Sequence, residues 1–466
     1  MIWTNDRRSR AWLVAGAALV VAGSAAVSGP ALAAGPSSPA RASIDHVIVI
    51  DLENESYAAT FGPGSPATYL NGVLRPKGQL LTQYYGTGHA STDNYIAQIS
   101  GQAMNQISGN DCIVDFKTFA GRYVDVTPGT LDPDQKTFLG QVDGDGCVYP
   151  KSVQTIGDQL DATTDGSPAR APLWRAYAED MGNDPVRDHG DADPLGGTDC
   201  AHPTIGGGLD VTNTASATDG YADRHVGFVF FHSIVDDAAR CDSHVVPLGT
   251  VTVGASGAPD AFSGHLAKDL AKEETTPRFA FISPNLCNDG HDATCVAPNL
   301  EGTLDAKGKN AGGLVSADLW LKHWMPLILN SPAYRDGHTL VVVTFDEGGI
   351  GATGIDGTAC CGERPGPNSN GNPGYPSILS LFGFPAPTAA GQYPGGGRTG
   401  AVLLNAKYIA PGSVNDTPYN HYSALRSYED LLGIDEGGAD GRGHLGFAGQ
   451  PGLRPFGTDV FNRTAR

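Results

Sequence analysis

Two short acidic stretches each follow a run of β-branched apolar residues. Ile44–Ile50 (IDHVIVI) leads into Asp51-Leu52-Glu53-Asn54, and Thr339–Phe345 (TLVVVTF) leads into Asp346-Glu347-Gly348-Gly349. Open α/β sheets gather their sites at the carboxyl ends of parallel strands. Hard oxygen donors from two such ends can converge on one divalent cation. An acid after a strand is also a common turn or cap residue, so neither stretch is decisive alone. A third stretch, His89-Ala90-Ser91-Thr92-Asp93-Asn94-Tyr95, carries the start signal of a helix. Free backbone N–H groups at a helix start suit a phosphate or sulfate. A serine there can act as a nucleophile when a neighbouring cation or base takes its proton. Ser91 or Asp93 could equally be a simple cap.

The elements that must position these residues read as a single α/β layer structure. Strands are expected at 44–50, 225–231, 278–282, 339–345 and 377–384. Helices are expected from Tyr95 to Ile99, Leu173 to Met181, Ala317 to Leu329 and Tyr422 to Leu432, the last stopped by Gly433. Strands alternating with helices imply a mostly parallel central sheet flanked by helices. Stretches 103–165, 183–222 and 350–376 are rich in Gly, Asp and Pro and read as ordered insertions. Residues 436–466 are Gly-rich and read as a C-terminal surface tail.

The chain has 466 residues, 40% of them hydrophobic and 17% charged, which is enough for a large core and unlike a disordered chain. Its formal charge of −20 argues against non-specific binding to nucleic acid or anionic membrane. Arg7, Arg8 and Arg10, an apolar run from Ala11 to Val27 and the small-residue exit Pro30-Ala31-Leu32-Ala33-Ala34 read as a secretory signal peptide over 1–33. Residues 34–43 read as a linker to a catalytic domain over 44–435. No later apolar run is long enough to span a bilayer. All eight cysteines follow the expected cleavage near Ala33, as suits an exported chain with four disulfides. Sequential pairing gives 112–147, 200–241, 287–295 and the neighbours 360–361. No CxxC pair supports a zinc–thiolate site.

The chain resembles the bacterial phosphoesterase family of secreted acid phosphatases and phospholipases C, within the alkaline phosphatase superfamily. The resemblance rests on IDHVIVIDLENESYAATFG (44–62), HASTDNYIAQISG (89–101), LWRAYAEDM (173–181), FVFFHSIVDDAARCDSHVVPL (228–248), FISPNLCNDGHD (281–292), VVVTFDEGG (341–349) and NHYSALRSYEDLLGI (420–434). Cys-Ala-His-Pro (200–203) and ACCGERPGPN (359–368) point to the acid-phosphatase branch, and the FDHVPP-type segment of many phospholipases C is not apparent.

The resemblance implies an alkaline-phosphatase-like α/β fold with disulfide-stapled loop insertions. It implies that Glu53, Asn54, Asp346 and Glu347 hold one divalent metal ion (Ca, Mg, Mn or Zn). The family often has Asp where Glu347 stands. Ser91 falls at the nucleophile position, with Thr92 a competing hydroxyl, and Asp93-Asn94 replaces the usual Pro-Asn. Asn94 is expected to stabilise the phosphoryl oxygens, and His232, His291 or His421 to protonate the leaving group. Asp51 and His89 are expected behind these residues.

The expected protein is thus a secreted metal-dependent acid phosphatase working through a phosphoserine. Its substrate would be a small phosphomonoester or lipid phosphate, with no nucleic acid and no protein partner inferred. The alternatives are a phospholipase C-type phosphodiesterase and a non-catalytic secreted Ca-binding protein. A sulfatase is disfavoured, because Ser91 is followed by Thr-Asp-Asn rather than by the x-Pro-x-Arg those enzymes need.

Overall fold

The computed structural model describes residues 43–115, 117–163, 172–291, 312–351, 354–368 and 395–463. The expected signal peptide, the linker up to residue 42, the 377–384 strand, Asp292 and Cys295 lie outside them.

Eight strands form the main sheet: β1 (His46–Leu52), β2 (Gln79–Leu81), β3 (Trp174–Ala178), β4 (Val245–Pro247), β5 (Phe279–Ser283), β6 (Thr339–Phe345), β7 (Ala401–Leu404) and β8 (Ser413–Asn415). Their order is β4-β3-β5-β1-β6-β7-β2-β8. Only β7 runs against its neighbours, so the sheet is mostly parallel as expected.

The central strands are wholly buried, which is why they read as unbroken apolar runs rather than as alternation. Within β1, Val47 and Val49 enter one core and Ile48, Ile50 and Leu52 the other. The first core is closed by α1 (Ser91–Ser100) and α3 (His421–Leu431). The second is closed by α2 (Gly313–Asn330), through Trp320 and Trp324. The sheet therefore lies between two helical layers, an α/β fold.

Three expectations are corrected. Leu173–Met181 contains β3, not a helix. Its Trp, Ala and Tyr side chains are buried between parallel neighbours, and tertiary pairing overrides the helix propensity of Leu, Arg and Ala. His225–Phe231 is not a strand but lies in two 3₁₀ turns, Asp223–His225 and Gly227–Phe230, packed under α1. Gly227 there approaches the Tyr95 carbonyl so closely that a Cβ would lie 2.8 Å from its oxygen. A short buried apolar run carries no periodicity to separate the two readings. The C-terminal stretch is not a surface tail: Phe447 and Val460 are fully buried, and the Phe447 N–H donates to the Gly101 carbonyl at 2.8 Å.

Disulfides 112–147, 200–241 and 360–361 form as sequential pairing predicts. The first two anchor the inserted loops.

Candidate active site

The register of the central strands brings the two acidic stretches together. Leu52 pairs with Phe345, so Glu53 and Asp346 leave the sheet side by side, and the Asp346 N–H donates to the Leu52 carbonyl at 2.9 Å. On the other side of β1, the loop after β5 returns Asp289, whose carbonyl accepts from the Glu53 N–H at 2.9 Å. Three adjacent parallel strands thus deliver their carboxyl ends to one place, the situation expected for an α/β site.

Glu53 is fully buried, and both its oxygens are engaged. Oε2 accepts from Ser91 Oγ at 2.7 Å, and Oε1 accepts from the Tyr95 hydroxyl at 2.7 Å. Ser91 opens α1, and Tyr95 lies one turn on, on the same helix face. His225 stacks on the Tyr95 ring with centroids 5.3 Å apart, and its Nε2 lies 3.3 Å from Glu53 Oε1. Thr92 does not share this contact. Its backbone N–H donates to Asp111, and its buried hydroxyl is left without a partner.

Asn54 has φ +48°, a left-handed turn that aims its backbone N–H at Asp346 Oδ1, 2.9 Å away. The turn needs Gly349 beside it, since a Cβ there would strike the Asn54 carbonyl oxygen. One terminal atom of the Asn54 amide lies 3.0 and 3.2 Å from the two Asp346 oxygens and 3.1 Å from Glu347 Oε1. The other terminal atom lies 3.2 Å from the His291 ring nitrogens. With nitrogen toward the carboxylates the amide is a hydrogen-bond donor. With oxygen toward them, four oxygens face one another with no proton between. The second arrangement is the one a bound cation would hold, and such hard oxygen donors suit a divalent ion.

The electrostatics point the same way. Burial, followed by the charge of neighbouring acids, pushes Asp346 well above the usual carboxylate range. Burial raises Glu347 too, although His89 opposes the shift. Burial lifts Glu53 to about 8 against the pull of Arg224, Tyr95 and Ser91. Asp51, behind them, is raised well above its ordinary value by burial, while Gln98 donates to it at 2.5 Å. Clustered buried carboxylates call for compensating positive charge. The donor set around Asn54, Asp346 and Glu347 therefore fits a divalent metal, whereas Glu53, also expected among the ligands, has both its oxygens taken by Ser91 and Tyr95.

Histidines divide by what they touch. His291 Nδ1 and Nε2 face Asn54. His89 Nδ1 lies 2.9 Å from Glu347 Oε2 and Nε2 lies 3.0 Å from the Asp356 carbonyl. Burial would lower His89, but Glu347 and the Asp356 carbonyl outweigh it and hold it above its ordinary value.

His421 is fully buried, with Nε2 2.6 Å from the Asp346 carbonyl and Nδ1 3.2 Å from the Tyr84 hydroxyl. Burial pushes it down to about 4, against the hydrogen bond to the Asp346 carbonyl. His232 is engaged elsewhere. Its Nδ1 lies 2.8 Å from Asp236 and its Nε2 3.0 Å from Asp125, and no residue of the cluster is among these partners.

Asn94 is also redirected from its expected role. Its oxygen accepts from Thr87 and Gly88, and its NH₂ donates to the Gly88 and Ala90 carbonyls, so it braces the loop before α1.

Three residues join the cluster without having been singled out from sequence. Tyr95 was visible as i+4 from Ser91 on a helix. Asp289 sits two residues before His291 in a segment already noted. His225 heads the run that was misread as a strand, which hid it.

A model of the Phosphoesterase family matches residues 44–435. Among curated proteins, the chain is similar to an acid phosphatase of Aspergillus fumigatus, 22% identical over 321 residues, covering 63% of this chain and 50% of that one. It is also similar to a phosphate-repressible acid phosphatase of Penicillium chrysogenum, 24% identical over 308 residues, covering 66% and 48%. The chain thus spans about half the length of the curated relatives it matches. Among solved structures, it is similar to an alkaline phosphatase superfamily protein of Vibrio parahaemolyticus at 12% identity and TM-score 0.40, covering 86% of this chain and 69% of that one. A phosphonate monoester hydrolase of Silicibacter pomeroyi is similar at 11% identity and TM-score 0.41, covering 91% and 77%.

Proposed function

This chain belongs to the Phosphoesterase family, and from that premise we propose that it is a secreted, metal-dependent acid phosphatase that hydrolyses phosphomonoesters through a phosphoserine at Ser91. The contact that carries the reading is Ser91 Oγ donating to Glu53 Oε2 at 2.7 Å in a buried acidic cluster. A hydroxyl that donates to a buried carboxylate is positioned for activation as a nucleophile.

Glu53 accepts the Ser91 proton as Oγ attacks phosphorus in line with the leaving oxygen. Tyr95 holds the Glu53 carboxylate in place, and His225 stacks on the Tyr95 ring. Asn54, Asp346 and Glu347 would hold the metal, and His421 and His89 fix the two acids from behind. A divalent ion there would stabilise a serine alkoxide and the charge on the phosphoryl oxygens, worth several kcal/mol. His291, beside Asn54, is the group placed to give the leaving alcohol its proton. Water then attacks phosphorus and releases phosphate, and the proton returns to Ser91.

Export is supported by three disulfides, which persist in oxidising compartments. Among the described residues, no helix is long and apolar enough to cross a membrane. The acid-phosphatase names of the fungal relatives support the monoester class.

The test is hydrolysis of p-nitrophenyl phosphate by the full chain across pH, before and after chelation, with single metals added back. Chelator-sensitive turnover restored by one divalent ion is the expected result. A folded, metal-loaded protein that cleaves only a phosphatidylcholine-type diester would overturn the monoester assignment. Cleavage of neither ester would favour a binding protein.

A further inference from the structure

A second group of metal-ligand side chains lies at the edge of the sheet. Asp193, Asp199 and His265 each place a ligand atom within 4.8 Å of the others. All three are buried, at 8%, 8% and 9% exposure. Asp193 Oδ2 lies 2.5 Å from His265 Nε2, and Asp193 Oδ1 accepts from the Leu195 N–H. Asp199 Oδ1 and His265 Nδ1 are buried with no partner. A buried carboxylate oxygen without a partner is costly unless something outside the protein satisfies it.

The three residues are held by separate elements. Asp199 pairs with Asp191 in the small hairpin Asp191–Ala192/Thr198–Asp199, and Asp193 lies in the turn between its strands. Cys200, the next residue, is bonded to Cys241. His265 opens a short helix whose Leu266 N–H donates to the Leu248 carbonyl, just past β4. The cluster therefore sits at the carboxyl ends of β3 and the edge strand β4, two and three strands from the one that carries Glu53. Asp242 adds further negative charge near Asp199, and Arg175, the cation that bears on Asp199, is paired with Asp269 at 3.2 Å.

We propose that Asp193, Asp199 and His265 form a second divalent-cation site, suited to Zn²⁺, that ties the 191–199 hairpin to the sheet edge. Two carboxylates balance a divalent charge, and an imidazole nitrogen favours Zn²⁺ over Mg²⁺ or Ca²⁺. The site does not depend on the role given to Ser91.

The experiment counts zinc in the full-length protein, stripped by chelator, reloaded with Zn²⁺ alone and freed of excess by gel filtration. Asp346→Asn removes a donor of the first site. That variant should still retain one Zn²⁺ per chain, and Asp346→Asn combined with His265→Gln should retain none. Stripping should lower the Tm of the Asp346→Asn protein by several degrees and leave the double variant unmoved. Asp199→Asn, close to isosteric, should weaken Zn²⁺ binding in the Asp346→Asn background at least tenfold, and it serves if the double variant does not fold. No Zn²⁺ on the Asp346→Asn protein, or a count unchanged by both His265→Gln and Asp199→Asn, would reduce the cluster to an internal hydrogen-bond group. Equal zinc counts in wild type and Asp346→Asn would show that the first site does not hold Zn²⁺, while leaving this one standing.

Discussion

Replacing Tyr95 by Phe tests how the proposed base is held. The Tyr95 hydroxyl donates to Glu53 Oε1 at 2.7 Å, and Tyr95 is 1% exposed. The substitution keeps the ring, its stack on His225 and its place in the core, so only one buried hydrogen bond to a carboxylate is removed. Hydrogen bonds to charged groups contribute about 1.5–3 kcal/mol. At about 1.4 kcal/mol per factor of ten, that is a fall in kcat of roughly 10- to 150-fold if the bond acts fully in the transition state. KM should move little, because the hydroxyl faces Glu53 rather than solvent. Metal content should not change, because Asn54, Asp346 and Glu347 do not touch Tyr95. The assay is steady-state hydrolysis of p-nitrophenyl phosphate at saturating metal, with metal content and Tm measured on the same sample. A Tyr95→Phe enzyme with kcat within twofold of wild type and an unchanged Tm would show that the orientation of Glu53 does not limit the reaction. The Glu53 role would then fail.

Replacing His421 by Phe removes the donor to the Asp346 carbonyl and should weaken metal binding about 10- to 100-fold, read by titration of the chelated protein. Because His421 is held neutral, the pH profile of the metal-saturated variant should keep both its limbs, and a lost limb would make it a proton donor after all. Gly349→Ala should destabilise the protein by about 1–3 kcal/mol and largely abolish turnover, because the new Cβ must displace the Asn54 carbonyl; denaturant unfolding and kcat check both. Asp210 reports on pH-dependent stability. Burial, with Asp223 nearby, raises it to about 7, so the folded state keeps a proton that the unfolded chain releases near pH 4. Its contribution is complete below about pH 4 and is lost as pH rises to about 7. Asp210→Asn should therefore gain on wild type by up to about 3 kcal/mol between pH 5 and pH 8 in unfolding experiments, and a constant difference would refute the shift.

Much of this was legible because strands β1 and β6 are buried on both faces and announce themselves as apolar runs. Their acidic ends then converge by parallel pairing. Ser91 was legible as a helix start. What the sequence hid depends on tertiary neighbours. The strand at Trp174–Ala178 is made of residues with no strong β preference, and its partners lie some 70 and 100 residues away in the chain. The buried turns at 225–230 look like a strand because burial, not pairing, sets their composition. Which of the candidate histidines reach the cluster was not readable. His232 and His225 lie seven residues apart, and only the path of a 3₁₀ turn decides that His225 meets Glu53 while His232 meets Asp125 and Asp236. Asn94 has the residue type of a phosphate ligand, yet its amide is fully engaged by its own loop.

The most direct measurement is the fate of the phosphoryl group. The full-length enzyme, loaded with metal, is mixed with a ³²P-labelled monoester, quenched in acid within one turnover and mapped by peptide mass. The account predicts label on the peptide holding Ser91, absent from Ser91→Ala, which should bind metal normally and turn over at least a thousandfold more slowly. Label on Thr92, or near-wild-type turnover by Ser91→Ala, would contradict it.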